Sequence, residues 1–127
     1  MERLTLMDPD LVGRLRAAVA ALEDKKAYHL VAFDVSTRTS LADVFLLCSV
    51  GSSRQAVAAA DEVDRRVVAA GMRPLSVEGY PHSGWILMDY GDFIVHIFEE
   101  ERREYYALER LWGDAPDITP RLQQPGT

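Results

Sequence analysis

Three histidines, one cysteine and a glycine-serine turn are the parts of this chain with the means to do chemistry. Their spacing decides how much. His29, His82 and His96 are scattered along the chain and no H-E-x-x-H spacing occurs, so the sequence spells out no zinc ligand set. Cys48 is the only cysteine, which excludes an internal disulfide and a cysteine-based zinc site and suits a reducing compartment. Set inside "FLLCSV", it has no cationic neighbour to favour a thiolate and reads as a small core hydrophobe. His96, in "FIVHIF", has no nucleophile beside it and reads as a hydrogen-bonded histidine on a sheet face rather than a catalytic base.

The turn "SVGSSRQ" (49–55) has the strand, glycine and helix start from which anion sites are made. It lacks the lysine and second glycine of a phosphate-binding loop, and capping of a helix by Ser52 and Gln55 explains the same residues. Nucleotidyl transfer also needs carboxylates converging on Mg²⁺, commonly from alternate positions of one strand. Asp89 and Asp92 fall across a hairpin turn, and Asp61 and Glu62 run along a helix, so neither pair has that spacing. No catalytic residue, metal or cofactor is assigned.

The elements that must position these residues follow from periodicity. Asp8-Pro9 is a helix start, and Leu11, Leu15, Ala18, Val19 and Leu22 recur at helical spacing to about Lys26. "HLVAFDV" (29–35) is a strand ending in the polar loop "STRTS", and 43–50 is a second strand, apolar enough to be buried on both faces. From Ser52 a helix carries Val57, Ala60, Val63, Val67 and Ala70 on one face and ends at Gly71, with Pro74 preventing continuation. "LSVEG" is a short strand. "GWILMDYGDFIVHIF" is two strands joined at Gly91-Asp92, and "EEERREYYALERLW" is a closing helix braced by Tyr105, Leu108, Leu111 and Trp112. The expected architecture is α/β, a mixed sheet of about five strands packed with helices. One domain spans residues 1–115, and the proline-rich 116–127 forms a loosely attached, flexible tail.

Composition narrows the partners. The chain has 127 residues, 48% of them hydrophobic, enough for one core without staples. Its net charge of -6 and the lack of a basic block disfavour nucleic-acid readout and favour a basic protein partner. No apolar run reaches the ~20 residues that span a bilayer, and the N-terminus lacks the apolar core of a signal peptide, so the expected location is cytoplasmic.

Within the aromatic stretch, alternation puts Trp85, Leu87 and Asp89 on one face of a strand and Ile86, Met88 and Tyr90 on the other. The next strand is apolar on both faces. Either helices cover both sides of the sheet or one side receives a partner, with Trp85 as an aromatic anchor and carboxylates at the rim. Burial of Trp85 in the core fits the periodicity equally well.

The sequence resembles the ribosomal silencing factor family, also called RsfS or Iojap-like. The resemblance rests on "DVSTRTSLADVFLLCSVGSSRQ", Glu78-Gly79, "GWILMDYGDFIVHIF" and "RREYYALERLWGDAP", in that order, over about residue 9 to Pro116. Val44 stands where the family often has an aromatic. The resemblance implies a non-enzymatic translation factor, a fold like a degenerate nucleotidyltransferase, and binding to the large ribosomal subunit through its basic ribosomal protein number fourteen. Occupying that surface would block small-subunit joining and repress translation under nutrient limitation. Carried motif by motif, it implies partner contacts at Trp85, Leu87 and Asp89, with Asp43, His96, Arg103 and Tyr106 as neighbours. Two alternatives remain open: a small nucleotide-binding or nucleotidyltransferase-like enzyme, and a homodimer formed through the same aromatic face.

Overall fold

The computed structural model describes residues 9–37, 39–40, 42–79, 84–99 and 115–123. Helix α1, Pro9–Asp24, begins where proline loses nothing by lacking an N–H, and it buries Leu11, Leu15, Ala18, Val19, Ala21 and Leu22. It stops short of the expected Lys26. Lys25 and Lys26 turn out of the helix, with Lys26 at φ +67 and the Ala27 N–H returning to the Leu22 carbonyl at 3.0 Å.

Five strands form one sheet in the order β1-β2-β5-β4-β3: β1 Tyr28–Asp34, β2 Val44–Val50, β3 Ser76–Glu78, β4 Trp85–Asp89 and β5 Phe93–Glu99. β2 and β5 are parallel and the other neighbours antiparallel, so the sheet is mixed, as the periodicity implied. The parallel pair is central and buried almost end to end, which is why both runs are continuously apolar. Gly91, at φ +88, turns the chain between β4 and β5, and the Tyr90 N–H closes the hairpin on the Phe93 carbonyl at 2.9 Å.

Helix α2, Ser53–Ala69, follows β2, and Ser52 caps it, its Oγ accepting the Gln55 N–H at 3.1 Å. The reciprocal bond of the expected capping box is displaced by one residue: Gln55 Oε1 accepts from the Gly51 N–H at 2.7 Å, not from Ser52. Its Nε2 donates to the Lys25 and Lys26 carbonyls at 3.0 and 3.1 Å. One side chain thus serves the start of α2 and the end of α1. The buried stripe of α2 is Ala56, Ala59, Ala60, Val63 and Val67, whereas Val57 is half-buried and Ala70 exposed. Small alanines let this helix lie close to its neighbours, which turns the stripe from the expected one. Arg66 pairs with Asp24 of α1 and, at 2.7 Å, with Glu62, while Gly71 at φ +100 ends the helix as expected.

α1 and α2 pack into one large cluster with Leu46, Cys48, Ile86, Met88, Val95 and Ile97 from one face of the sheet. Opposite them, Phe33, Phe45, Leu47, Ile94 and Phe98 form a second cluster.

Three expectations are corrected. Strand β2 begins at Val44, because the Asp43 N–H is spent on the Asp92 carbonyl at the sheet end. Glu99 ends β5 rather than starting a helix, its N–H bonded to the Gly84 carbonyl at 2.9 Å and its register beside Val50. The rest of the expected closing helix, with Tyr105, Leu108, Leu111 and Trp112, lies outside the described residues. The expected loose tail does not hold over 116–123: Asp117 bridges Phe33 on the β1 edge, and helix α3, Thr119–Gln123, follows. Ile118 and Leu122, few as they are, are both buried in the main core. Among the described residues no helix is long and apolar enough to cross a membrane.

Candidate partner-docking site

Strand β4 separates its side chains as alternation dictates: Ile86 and Met88 are buried in the main core, while Trp85, Leu87 and Asp89 are half-buried on the second face. Register then fixes their neighbours. One row across that face reads Glu78, Leu87, His96, Leu47 and Val31; the next reads Ser76, Asp89, Ile94, Phe45 and Phe33. Trp85 stands opposite Phe98 at the end of the sheet where β5 finishes. The face is therefore graded, fully buried at β2 and β5, half-buried at β4, and exposed and acidic at Glu78 on the edge strand β3.

An aromatic cluster organises its centre. The Trp85 indole stacks on Phe98 with ring centroids 5.4 Å apart and an interplanar angle of 21°, and on His96 at 5.9 Å and 26°. Phe45 meets the His96 ring edge-on at 5.2 Å. The Trp85 Nε1–H donates to His96 Nδ1 at 3.2 Å. With Nδ1 accepting, the proton of the neutral imidazole belongs on Nε2, and that buried atom has no hydrogen-bond partner among the described residues. Only 4% of His96 is exposed. Burial pulls its pKa down to about 4, so the ring is neutral near pH 7.

Carboxylates gather at the outer side and at one end of the same sheet. Asp89 Oδ1 accepts the Gly91 N–H at 2.8 Å, which orders the hairpin and leaves Asp89 half-buried beside Leu87 on β4. Asp43 and Asp92 meet through a backbone bond of 2.8 Å where β2 and β5 begin. The structure thus brings Trp85, Leu87, Asp89 and His96 onto one face. Asp43 stands at the end of the sheet remote from Trp85, and Arg103 and Tyr106 lie outside the described residues. The sequence reading passed over Glu78 as a site residue. It becomes Leu87's cross-strand neighbour only through the β3–β4 register, for which the sequence carries no local signal.

The glycine-serine turn spends donors internally, with the Gly51 and Gln55 N–H groups both bonded within the chain. Among the described residues, no group of three or more His, Cys, Asp or Glu could hold a metal ion. The second face thus sets a half-buried aromatic ring and its aliphatic neighbour Leu87 beside the carboxylates of Asp89 and Glu78.

A family model described as "Ribosomal silencing factor during starvation" matches residues 9–126. The ribosomal silencing factor RsfS of Halalkalibacterium halodurans is 41% identical over 104 residues, which cover 82% of this chain and 89% of that protein. The RsfS of Bacillus subtilis is 40% identical over 102 residues, covering 80% and 86%. Among solved structures, a Chromobacterium violaceum protein superposes with a TM-score of 0.76 at 34% sequence identity, covering 81% of this chain and 86% of that one.

Proposed function

The chain belongs to the ribosomal silencing factor family, and on that premise we propose that it binds the large ribosomal subunit and sterically blocks association with the small one. The docking point is the basic large-subunit ribosomal protein number fourteen, and the consequence is repression of translation under nutrient limitation. A domain of 14.2 kDa anchored where the small subunit must approach needs no catalytic step, so the reading is of a cytoplasmic regulator rather than an enzyme.

One observation supports this reading above the others: half-buried Trp85 and Leu87 share a sheet face with Asp89 and Glu78. An apolar anchor flanked by carboxylates suits a basic protein surface, because charge steers the encounter and aromatic burial supplies the holding energy. The net charge of -6 acts in the same direction over longer range. Trp85 and Leu87 would enter the partner's surface while Asp89 and Glu78 meet its Lys or Arg side chains. His96 acts indirectly, its Nδ1 holding the indole in place.

Titration of the purified fourteenth protein of the large subunit into this protein tests the placement. Trp85→Ala is expected to weaken binding by about thirtyfold, the ~2 kcal/mol typical of a central aromatic anchor. Asp89→Asn should chiefly slow association and flatten its salt dependence. Full affinity in a folded Trp85→Ala protein places the interface elsewhere.

A further inference from the structure

The free edge of β1 is closed by a piece of chain that composition marks as tail. β1 is an outer strand of the sheet, and its outward backbone groups would ordinarily be a template for another strand. Instead the Asp34 N–H donates to the Pro116 carbonyl at 2.8 Å, the Ile118 N–H donates to the Ala32 carbonyl at 2.8 Å, and the Ala32 N–H donates to Thr119 Oγ1 at 2.7 Å. Asp117 faces Phe33 in a single antiparallel bridge. Asp117 Oδ1 accepts both the Thr119 N–H at 2.9 Å and the Thr119 hydroxyl at 2.5 Å, which aims that hydroxyl oxygen at Ala32.

This segment satisfies an edge without extending it. Pro116 contributes a carbonyl but no N–H, Pro120 cannot donate either, and at Thr119 the chain turns into α3, so no further strand can add outside it. Its attachment is slight by comparison with the sheet. Ala115, Ile118 and Leu122 are the buried apolar anchors, helped at the surface by a bond of 3.0 Å from Gln123 Nε2 to Glu23 of α1. Elements held by few buried contacts open at lower free energy than the core they lie on.

We propose that residues 115–123 are an edge guard: they open as a unit ahead of the sheet, and while open they leave β1 free to pair with a second copy of this chain. The second copy follows from symmetry. Two exposed β1 strands carry the same outward donors and acceptors, and an antiparallel, two-fold contact satisfies both at once.

Backbone hydrogen exchange on the full chain, followed by sedimentation velocity over a range of concentrations, tests both halves. In the unmodified protein the Ala32, Asp34 and Ile118 amides are expected to exchange together, at least about tenfold faster than those of Leu46 and Ile97. In a full-length Thr119→Val/Leu122→Ala protein the gap should widen and self-association appear, while Val63→Ala, which trims the core under α2, should sediment like the unmodified chain. Exchange of those three amides only together with Leu46 and Ile97 overturns the separate opening. Their early exchange with no concentration-dependent sedimentation in the double variant overturns the guarding role. Should the double variant not fold, Thr119→Val alone, which removes the acceptor for Ala32 and keeps all three apolar anchors, is read against the same two outcomes.

Discussion

Replacing Trp85 by Phe should expose how tightly Trp85 and His96 depend on one another. The phenyl ring keeps a stack on Phe98 but has no N–H to give His96 Nδ1, and Nε2 of the imidazole already lacks a partner among the described residues. A buried imidazole with both nitrogens stranded adds the cost of one more unsatisfied polar atom, ~1–3 kcal/mol. Losing part of the half-buried indole adds about 1 kcal/mol. Trp85→Phe should therefore destabilise by about 2–4 kcal/mol. His96→Phe leaves no buried polar atom, places a ring among Phe45 and Phe98, and frees a Trp85 N–H that is near enough to the surface to find water, so it should change stability by less than about 1 kcal/mol. In that background Trp85→Phe strands nothing and should cost only the area, about 1 kcal/mol. Urea unfolding of the four proteins at neutral pH gives the coupling directly, expected at about 1–3 kcal/mol. Additivity within about 0.3 kcal/mol refutes the reasoning, because the hydrogen bond would then carry no net weight.

The same histidine sets a pH dependence. Its folded pKa of about 4 lies below the ordinary 6.5, so between those values the unfolded chain binds a proton that the folded one refuses. Stability is thus expected to fall as pH drops through that window, by up to about 1.4 kcal/mol per pH unit from this group. His96→Phe should remove that part of the slope in urea titrations at successive pH values, and an unchanged slope would assign it to other groups. Gln55→Ala loses three bonds, two to the carbonyls that follow α1 and one from the Gly51 N–H at the start of α2, and should cost about 1–2 kcal/mol, discounted because the site is partly solvated. Gln55→Glu keeps an acceptor for Gly51 but has no donor for the Lys25 and Lys26 carbonyls. It should fall between the two, and stability equal to that of the unmodified protein would show that the clamp onto α1 contributes nothing.

Much of the fold was legible because local signals and tertiary demands coincide. The apolar runs of β2 and β5 announced strands apolar on both faces, Ser52 with Gln55 announced a capped helix, and Gly91-Asp92 announced the hairpin, while the parallel pairing of β2 with β5 came only with the structure. What escaped depended on partners distant in sequence. Gln55 showed its capping spacing, but nothing local revealed that its amide would also reach Lys25 and Lys26. Pro116, Asp117 and Thr119 carry the composition of a solvated tail, and only the unpaired edge of β1 gives them a place to bind. At the candidate site, alternation correctly put Trp85, Leu87 and Asp89 together, and the reading of His96 as a hydrogen-bonded sheet residue agrees with its bond from Trp85. Glu78 was hidden because a three-residue strand has too few side chains to advertise its register. Periodicity could not choose between core and interface for Trp85, and the structure shows why: its ring is half-buried, stacked on Phe98 yet partly open.

The most direct test of the silencing account is a subunit-joining assay on density gradients, with purified large and small ribosomal subunits mixed at Mg²⁺ concentrations that favour joining. With the protein added in slight excess over the large subunit, the account predicts that the subunits stay separate, that the protein migrates with the large subunit alone, and that a folded Trp85→Ala chain restores joining. Unimpaired joining in the presence of the unmodified protein, or its migration with the small subunit, would contradict it.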